Sequence, residues 1–341
     1  MKVAVIGDGG WGTALALTLA RHGHAPRVWG PDAGYLAEIR ATRRNPKFLP
    51  GIELPAAIGW TADPDEALAG AEAVVLVVPS KYVRATLERF AGAYRAAGAP
   101  PVVSAATGFD ESTLERMTEI LAELWRAEHP AALSGPSIAP ETARGVPTAV
   151  TIACADEARA RRFQELFTGD AFRAYTSDDV RGVELGGALK NVIALAAGIC
   201  DGLGFGNNAK AALITRGLAE MTRLGVALGA HPQTFYGLSG IGDLMVTCMS
   251  PQSRNRTVGE RLGRGESVAQ ILSGMEQVAE GVCTCGSALA LAREAGVPVP
   301  VMEQIDAILH RGQGPQAAGL EWMRGVPGGE GEWGLAGSVA E

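Results

Sequence analysis

Val3-Ala4-Val5-Ile6-Gly7-Asp8-Gly9-Gly10-Trp11-Gly12-Thr13-Ala14-Leu15-Ala16 passes from an apolar strand pattern, through four glycines, into a run of small and apolar residues of helical character. Gly7, Gly9 and Gly12 have Gly-x-Gly-x-x-Gly spacing, and the strand before and helix after them give that spacing its meaning. Gly7 permits a tight turn, Gly9 lets the backbone approach a pyrophosphate, and Gly12 lets helix and strand pack closely. Free amides at a helix start, together with the helix dipole, favour an anion there. The stretch from Gly7 to Gly12, with Gly10 and Trp11 inside it, is therefore expected to bind a dinucleotide. It says nothing about the reaction.

Working outward, a second strand at 27–29 ends in Gly30-Pro31-Asp32, about 20 residues past the glycines. An acidic residue at that tip would bind the ribose diol of NAD, and an arginine would favour the NADP phosphate. Asp32 lies one step beyond the expected place and Pro31 offers no donor, so these residues leave NAD and NADP both open. Asn45-Pro46-Lys47-Phe48-Leu49-Pro50-Gly51 reads as a turn-rich crossover. Apolar runs at 73–78, 102–106, 132–133, 148–154 and 172–175 alternate with helical patterns at 82–95 and 112–127. Such alternation predicts an α/β fold, a Rossmann-type doubly wound parallel sheet, over 1–177. Ser80, Thr107, Gly135 and Ser137 fall at the carboxyl ends of strands, where open α/β sheets bind ligands.

After about residue 177 the period changes to that of helices, at 183–200, 209–228, 257–263, 288–296 and 302–310. A mainly helical domain over 178–325 is expected, followed by a glycine-rich flexible tail at 326–341. Gly186-Gly187-Ala188-Leu189-Lys190-Asn191 places a lysine on a helix of almost wholly apolar or small residues. Burial disfavours an ammonium, so Lys190 is a candidate proton donor and acceptor. The alternative is a lysine whose stem covers apolar surface while its head reaches water. Only five lysines stand among 30 basic residues, so arginine is the default cation, and it cannot supply a titratable amine.

Gly240-Ile241-Gly242-Asp243-Leu244 sets one carboxylate among small and apolar residues, where it needs a cationic partner; Lys190 is the natural one. A helix N-cap role for Asp243 is the alternative. Ser250-Pro251 has the form of a helix start, which would put Ser253, Arg254 and Asn255 near a helix N-terminus. A hydroxyl, a guanidinium and an amide there suit a phosphate, with a solvated basic turn as the alternative.

A chain of 341 residues with 47% hydrophobic and 20% charged residues has room for two folded domains. Its net charge of -7 argues against nucleic acid or an anionic membrane as partner. The five cysteines are scattered, and Cys283 and Cys285 lack metal-ligand spacing, so free thiols and no metal are expected. Met1-Lys2 leads directly into the first strand with no leader pattern, and no membrane span is expected. A soluble, cytoplasmic protein is the expectation.

With these motifs together, the chain resembles the bacterial NAD(P)-dependent glycerol-3-phosphate dehydrogenases, from about Val3 to Leu309. The most specific stretches are 7–16, 134–141, 182–220, 237–247, 253–256 and 278–281. The resemblance implies that NAD or NADP lies on Gly7, Gly9, Gly10, Trp11 and Gly12, with Ala139, Arg254, Val278 and Glu280 also touching it. It implies Lys190 as proton acceptor, and Gly135, Ser137, Lys190, Asp243, Ser253, Arg254 and Asn255 as ligands of glycerol 3-phosphate or dihydroxyacetone phosphate. A role in phospholipid synthesis and a homodimer are further implications.

The sequence departs from the family at Thr107, where a lysine usually precedes Gly108, at Pro140 before Glu141, at Pro31, and at Ser137, commonly threonine. Thr107 keeps a hydroxyl but no charge, and a lost donor of this kind costs about 2.7–4 kcal/mol of transition-state stabilisation. Two other functions stay open on these grounds: a related 3-hydroxyacid-type dehydrogenase, and a weakened NAD(H)-binding sensor.

Overall fold

The computed structural model describes residues 1–275 and 279–324. The expected tail at 326–341, and Val278, lie outside the described residues. The chain forms two compact units, one from Met1–Asp110 and Glu115–Val180, the other from Glu111–Leu114 and Arg181 onward.

The first unit is built on an eight-stranded sheet: β1 (Lys2–Ile6), β2 (Ala25–Trp29), β3 (Gly59–Thr61), β4 (Ala73–Leu76), β5 (Val102–Ser104), β6 (Ala131–Ser134), β7 (Thr148–Ala153) and β8 (Phe172–Ser177). Across the sheet the order is β8-β7-β6-β5-β4-β1-β2-β3. Alternate residues of one strand serve opposite faces, as the two-residue repeat of an extended chain requires. Val3, Val5, Ala73 and Val75 pack with Leu15, Leu19, Phe163 and Phe167 on one side. Ala4, Ile6, Val74 and Leu76 pack with Phe90, Tyr94, Ile120 and Trp125 on the other. Burial on both faces explains why these strands read as continuous apolar runs.

Strands β1 to β6 are parallel, but β7 runs antiparallel to β6, with β8 parallel to β7. The doubly wound sheet expected from sequence is present, with this one antiparallel pairing at its edge. A parallel return usually needs a crossover helix long enough to span the sheet. The chain between β6 and β7 holds only the five-residue helix Ala139–Ala143, and it turns back instead. The helix expected at 112–127 begins later, at Met117, where the Arg116 N–H donates to Glu119 Oε2 at 2.9 Å.

The second unit is helical and organised around Val180–Leu203. By length and composition this helix is apolar enough to cross a membrane, contrary to expectation, yet 94% of its most apolar 18-residue window is buried inside the protein. It is a core helix, packed against Gly206–Ala227, Asp243–Met249, Arg254–Gly263 and Glu280–Glu294. Its glycines set the distances. A Cβ on Gly198 would overlap the Arg256 carbonyl oxygen, and one on Gly186 would lie 2.5 Å from that of Ser239.

Candidate active site

In the first unit, β1 and β4 are neighbours although β2 and β3 come between them in the chain, so the strand order reverses direction beside β1. This switch point opens a crevice at the strands' carboxyl ends. Gly7 turns there with φ +133°, and its N–H donates to the Trp29 carbonyl oxygen at 2.9 Å. A Cβ on Gly7 would stand 2.8 Å from the backbone of Val77, and one on Gly12 would overlap the Gly7 carbonyl oxygen. Gly9 differs. It is the N-cap of the helix Gly10–Arg21, no side chain caps that helix, and a Cβ on Gly9 would meet nothing within 4 Å. An uncapped helix start beside open space is the cradle a pyrophosphate requires, so these residues fit a dinucleotide.

Ala139 comes alongside this helix start, its Cβ 3.9 Å from a Cβ placed on Gly10. Trp11 is half-buried and packs on the sheet core. Gly135, with φ +141°, follows β6 so closely that a Cβ would lie 2.9 Å from Val150 Cα. Ser137 Oγ donates back to the Gly135 carbonyl oxygen at 2.8 Å. Thr107 is half-buried just beyond β5. Pro140 sits at the start of its short helix, a position where proline forfeits no intrahelical hydrogen bond.

In the second unit, Lys190 Nζ lies 2.5 Å from Asp243 Oδ1, with side-chain exposures of 14% and 3%. The turn Leu238–Gly242, bent at Gly240 (φ -97°, ψ -105°), delivers the carboxylate. Because Gly186 has no side chain, that turn rests on the core helix one turn before Lys190. Asp243 is the first residue of its helix and not the N-cap, and Thr247 Oγ1 donates to its carbonyl oxygen at 2.6 Å. The ammonium is therefore not simply desolvated by an apolar helix; a buried carboxylate compensates it.

Ser250-Pro251 is not the helix start expected from sequence. Ser250 is the C-cap of Asp243–Met249, and the cap of the next helix is Ser253, whose Oγ accepts the Arg256 N–H at 3.2 Å. Ser250 and Ser253 both precede apolar helical positions, and only the local turn decides between them. Arg254 is exposed at the first position of that helix, while Asn255 is buried. Asn255 Nδ2 donates to Asn191 Oδ1 at 2.9 Å, and its Oδ1 accepts the Gly281 N–H at 2.9 Å. Glu280, half-buried, opens the helix to which Gly281 belongs. The structure thus joins Lys190, Asp243, Ser253, Asn255 and the start of the Glu280 helix within one unit.

The family described as "NAD-dependent glycerol-3-phosphate dehydrogenase N-terminus" matches residues 2–160, and its C-terminal counterpart matches 179–319. The chain belongs to this family. Relatives named glycerol-3-phosphate dehydrogenase [NAD(P)+] include one from Citrifermentans bemidjiense, 50% identical over 94% of this chain and 96% of that protein. Another, from Streptomyces griseus, is 47% identical over 95% and 96%. The crystal structure of glycerol-3-phosphate dehydrogenase from Coxiella burnetii superposes with a TM-score of 0.91 at 36% identity, covering 95% of this chain and 98% of that one. A ketopantoate reductase from Ralstonia eutropha, at 19% identity and a TM-score of 0.60, shares the fold alone. As a glycerol-3-phosphate dehydrogenase family member, the chain is an NAD(P)-dependent oxidoreductase.

Several supporting residues of this dehydrogenase escape sequence reasoning. Asn45, fully buried in the crossover, donates to the Asp8 carbonyl oxygen and to Thr13 Oγ1, both at 2.8 Å, and so fastens the glycine-rich loop. Asp201 takes Lys210 Nζ and Arg256 Nε, each at 2.7 Å. Arg256 is thereby committed to a carboxylate, and Arg254, exposed, is the first residue of the same helix. A lone asparagine in a turn and an aspartate at a helix end carry no sequence signal of such roles.

Proposed function

We propose that the chain catalyses reversible hydride transfer between a nicotinamide and C2 of glycerol 3-phosphate or dihydroxyacetone phosphate, supplying glycerol 3-phosphate for phospholipid synthesis. The observation that carries this reading is the Asn191–Asn255 hydrogen bond, which ties the helix of the Lys190–Asp243 pair to the helix start bearing Ser253 and Arg254. A proton-transfer group and a set of phosphate donors are thus held in fixed relation.

The nicotinamide, when bound, supplies the hydride acceptor or donor. The first unit would hold the cofactor through Gly7, Gly9, Gly10, Trp11 and Gly12, with Ala139 beside them, and Arg254, Val278 and Glu280 are assigned to the same ligand. In the reductive direction the Lys190 ammonium, with three N–H groups and one carboxylate neighbour, retains donors for the ketone oxygen. In oxidation its amine takes the C2 hydroxyl proton, and Asp243 keeps the nitrogen in position. The Ser253 oxygen caps a helix, yet its O–H remains able to donate to a phosphate oxygen, as does the second N–H of Asn255. Arg254 adds a guanidinium fork. Gly135, Ser137 and Thr107 complete the proposed substrate ligands, Thr107 with a hydroxyl in place of an amine.

The same reading includes a cytoplasmic enzyme acting as a homodimer. Cys154, Cys200, Cys248 and Cys285 are buried free thiols, as suits a reducing compartment. Burial pushes the Cys200, Cys248 and Cys285 thiols up to about 12, which leaves them inert. The deciding experiment follows NADH and NADPH oxidation with dihydroxyacetone phosphate. Turnover supports the proposal, and cofactor binding without turnover overturns it. Recovery of turnover in Thr107→Lys would then place the defect at that hydroxyl.

A further inference from the structure

Selectivity between the two nicotinamide dinucleotides is ordinarily set at the tip of the second strand, beside the adenosine ribose. Here β2 ends at Trp29, and Gly30, which follows, has no side chain. Pro31 has neither donor nor charge. Asp32 is engaged within its own turn, where its Oδ1 accepts the Tyr35 N–H at 3.0 Å and caps the helix Ala33–Thr42.

The space a Gly30 side chain would take is nevertheless filled. A Cβ on Gly30 would lie 2.5 Å from Cγ of Asp8 and closer still to its Oδ2. The Asp8 carboxylate, reaching over from the glycine-rich loop at the end of β1, stands where a strand-tip residue would stand. Its backbone is fixed, because the Asp8 carbonyl oxygen accepts from Asn45 Nδ2 at 2.8 Å and Thr13 Oγ1 at 3.2 Å. The side chain is half-buried. Burial raises its carboxyl above the usual range, Lys47 opposes that rise and Asp32 adds to it.

We propose that Asp8 takes the part of the missing strand-tip acid, accepting hydrogen bonds from the adenosine ribose hydroxyls and making this enzyme select NAD(H) over NADP(H). The inference rests on the cofactor assignment to Gly7 through Gly12. A carboxylate suits a diol, which donates two hydrogens, and repels a 2′-phosphate, which donates none at neutral pH and carries like charge. Selectivity thus moves from the second strand to the loop already used for the pyrophosphate.

Equilibrium titrations of the purified protein with NADH and with NADPH, read by nucleotide fluorescence, test this without reference to turnover. The wild type should bind NADH more tightly by on the order of 100-fold, since the carboxylate would face a like-charged 2′-phosphate. Asp8→Asn, which keeps the shape and removes the charge, should narrow the ratio by about tenfold or more, chiefly by tightening NADPH. Asp8→Ala should narrow it too, with weaker NADH binding as well. Should Asp8→Ala not fold, Asp8→Asn carries the test alone. A wild type that prefers NADPH, or a ratio that stays within about twofold in every folded variant, overturns the proposal while leaving the cofactor site standing. Failure of the wild type to bind either nucleotide overturns the cofactor site and this inference together.

Discussion

Asn255 donates to Asn191 across 2.9 Å, one residue along the chain from Lys190. The same amide accepts the Gly281 N–H, so a single side chain fastens three helices around the ionic pair. Asn255→Ala leaves the buried Gly281 donor and one Asn191 acceptor without these partners, at about 1–3 kcal/mol for each buried group. A lower urea midpoint together with a raised KM for dihydroxyacetone phosphate is expected. Unchanged stability would show that water or a rotated neighbour replaces the amide.

Lys190→Ala should cut kcat by about 10²–10⁴, the range of a lost general acid–base group. NADH affinity, measured by titration, should stay within about twofold. Equal losses in turnover and cofactor affinity would instead mark the helix as scaffolding. The same variant removes the ammonium from beside Asp243, which is 3% exposed, and breaking a buried pair from one side costs about 3–5 kcal/mol. Lys190→Ala/Asp243→Ala should recover part of that stability and none of the turnover.

Two glycines of the fingerprint should respond in opposite ways. Gly12→Ala drives a methyl into the Gly7 carbonyl oxygen and should destabilise the first unit strongly, seen as a lowered Tm. Gly9→Ala meets open space, so the Tm should hold while NADH binding weakens at least about tenfold. Normal cofactor affinity in folded Gly9→Ala would remove the pyrophosphate from that position.

Glu220, 2% exposed, accepts the Val301 and Met302 N–H groups at 2.7 and 3.3 Å and closes the start of the helix Pro300–His310. Burial raises its carboxyl from 4.5 to about 7 against the pull of those donors. The folded state therefore holds a proton that the unfolded chain releases. This contribution to stability is full below about pH 4.5 and is lost as pH rises through about 7. Glu220→Gln should flatten that part of the pH dependence in denaturant titrations. An unaltered slope would show that other groups produce it.

The glycine-rich stretch discloses the first unit because each glycine answers a backbone constraint visible in spacing alone. Lys190 is conspicuous because an amine on an apolar helix is chemically costly. The antiparallel edge is not legible, since strand direction depends on whether the link from Ser134 to Thr148 spans the sheet, and composition does not encode reach. Ser253 reads as lying beyond a cap at Ser250 because both serines have the same chemistry; the turn geometry distinguishes them. Asn45 and Asp8 are silent for a further reason: their roles arise from segments far apart in the chain.

Replacing helical glycine by alanine is a routine route to a sturdier protein, gaining up to about 1 kcal/mol per site. At Gly186, Gly198 and Gly202 of the Lys190 helix that route is closed. An alanine at Gly198 would push against Arg256, and one at Gly202 against Glu260 and Gly263. Laboratory selection for heat resistance should accordingly spare these positions and draw instead on exposed helical glycines with open surroundings, Gly92 and Gly286. In this helix the close packing of the helical domain and the placement of Lys190 beside Asp243 depend on the same small residues.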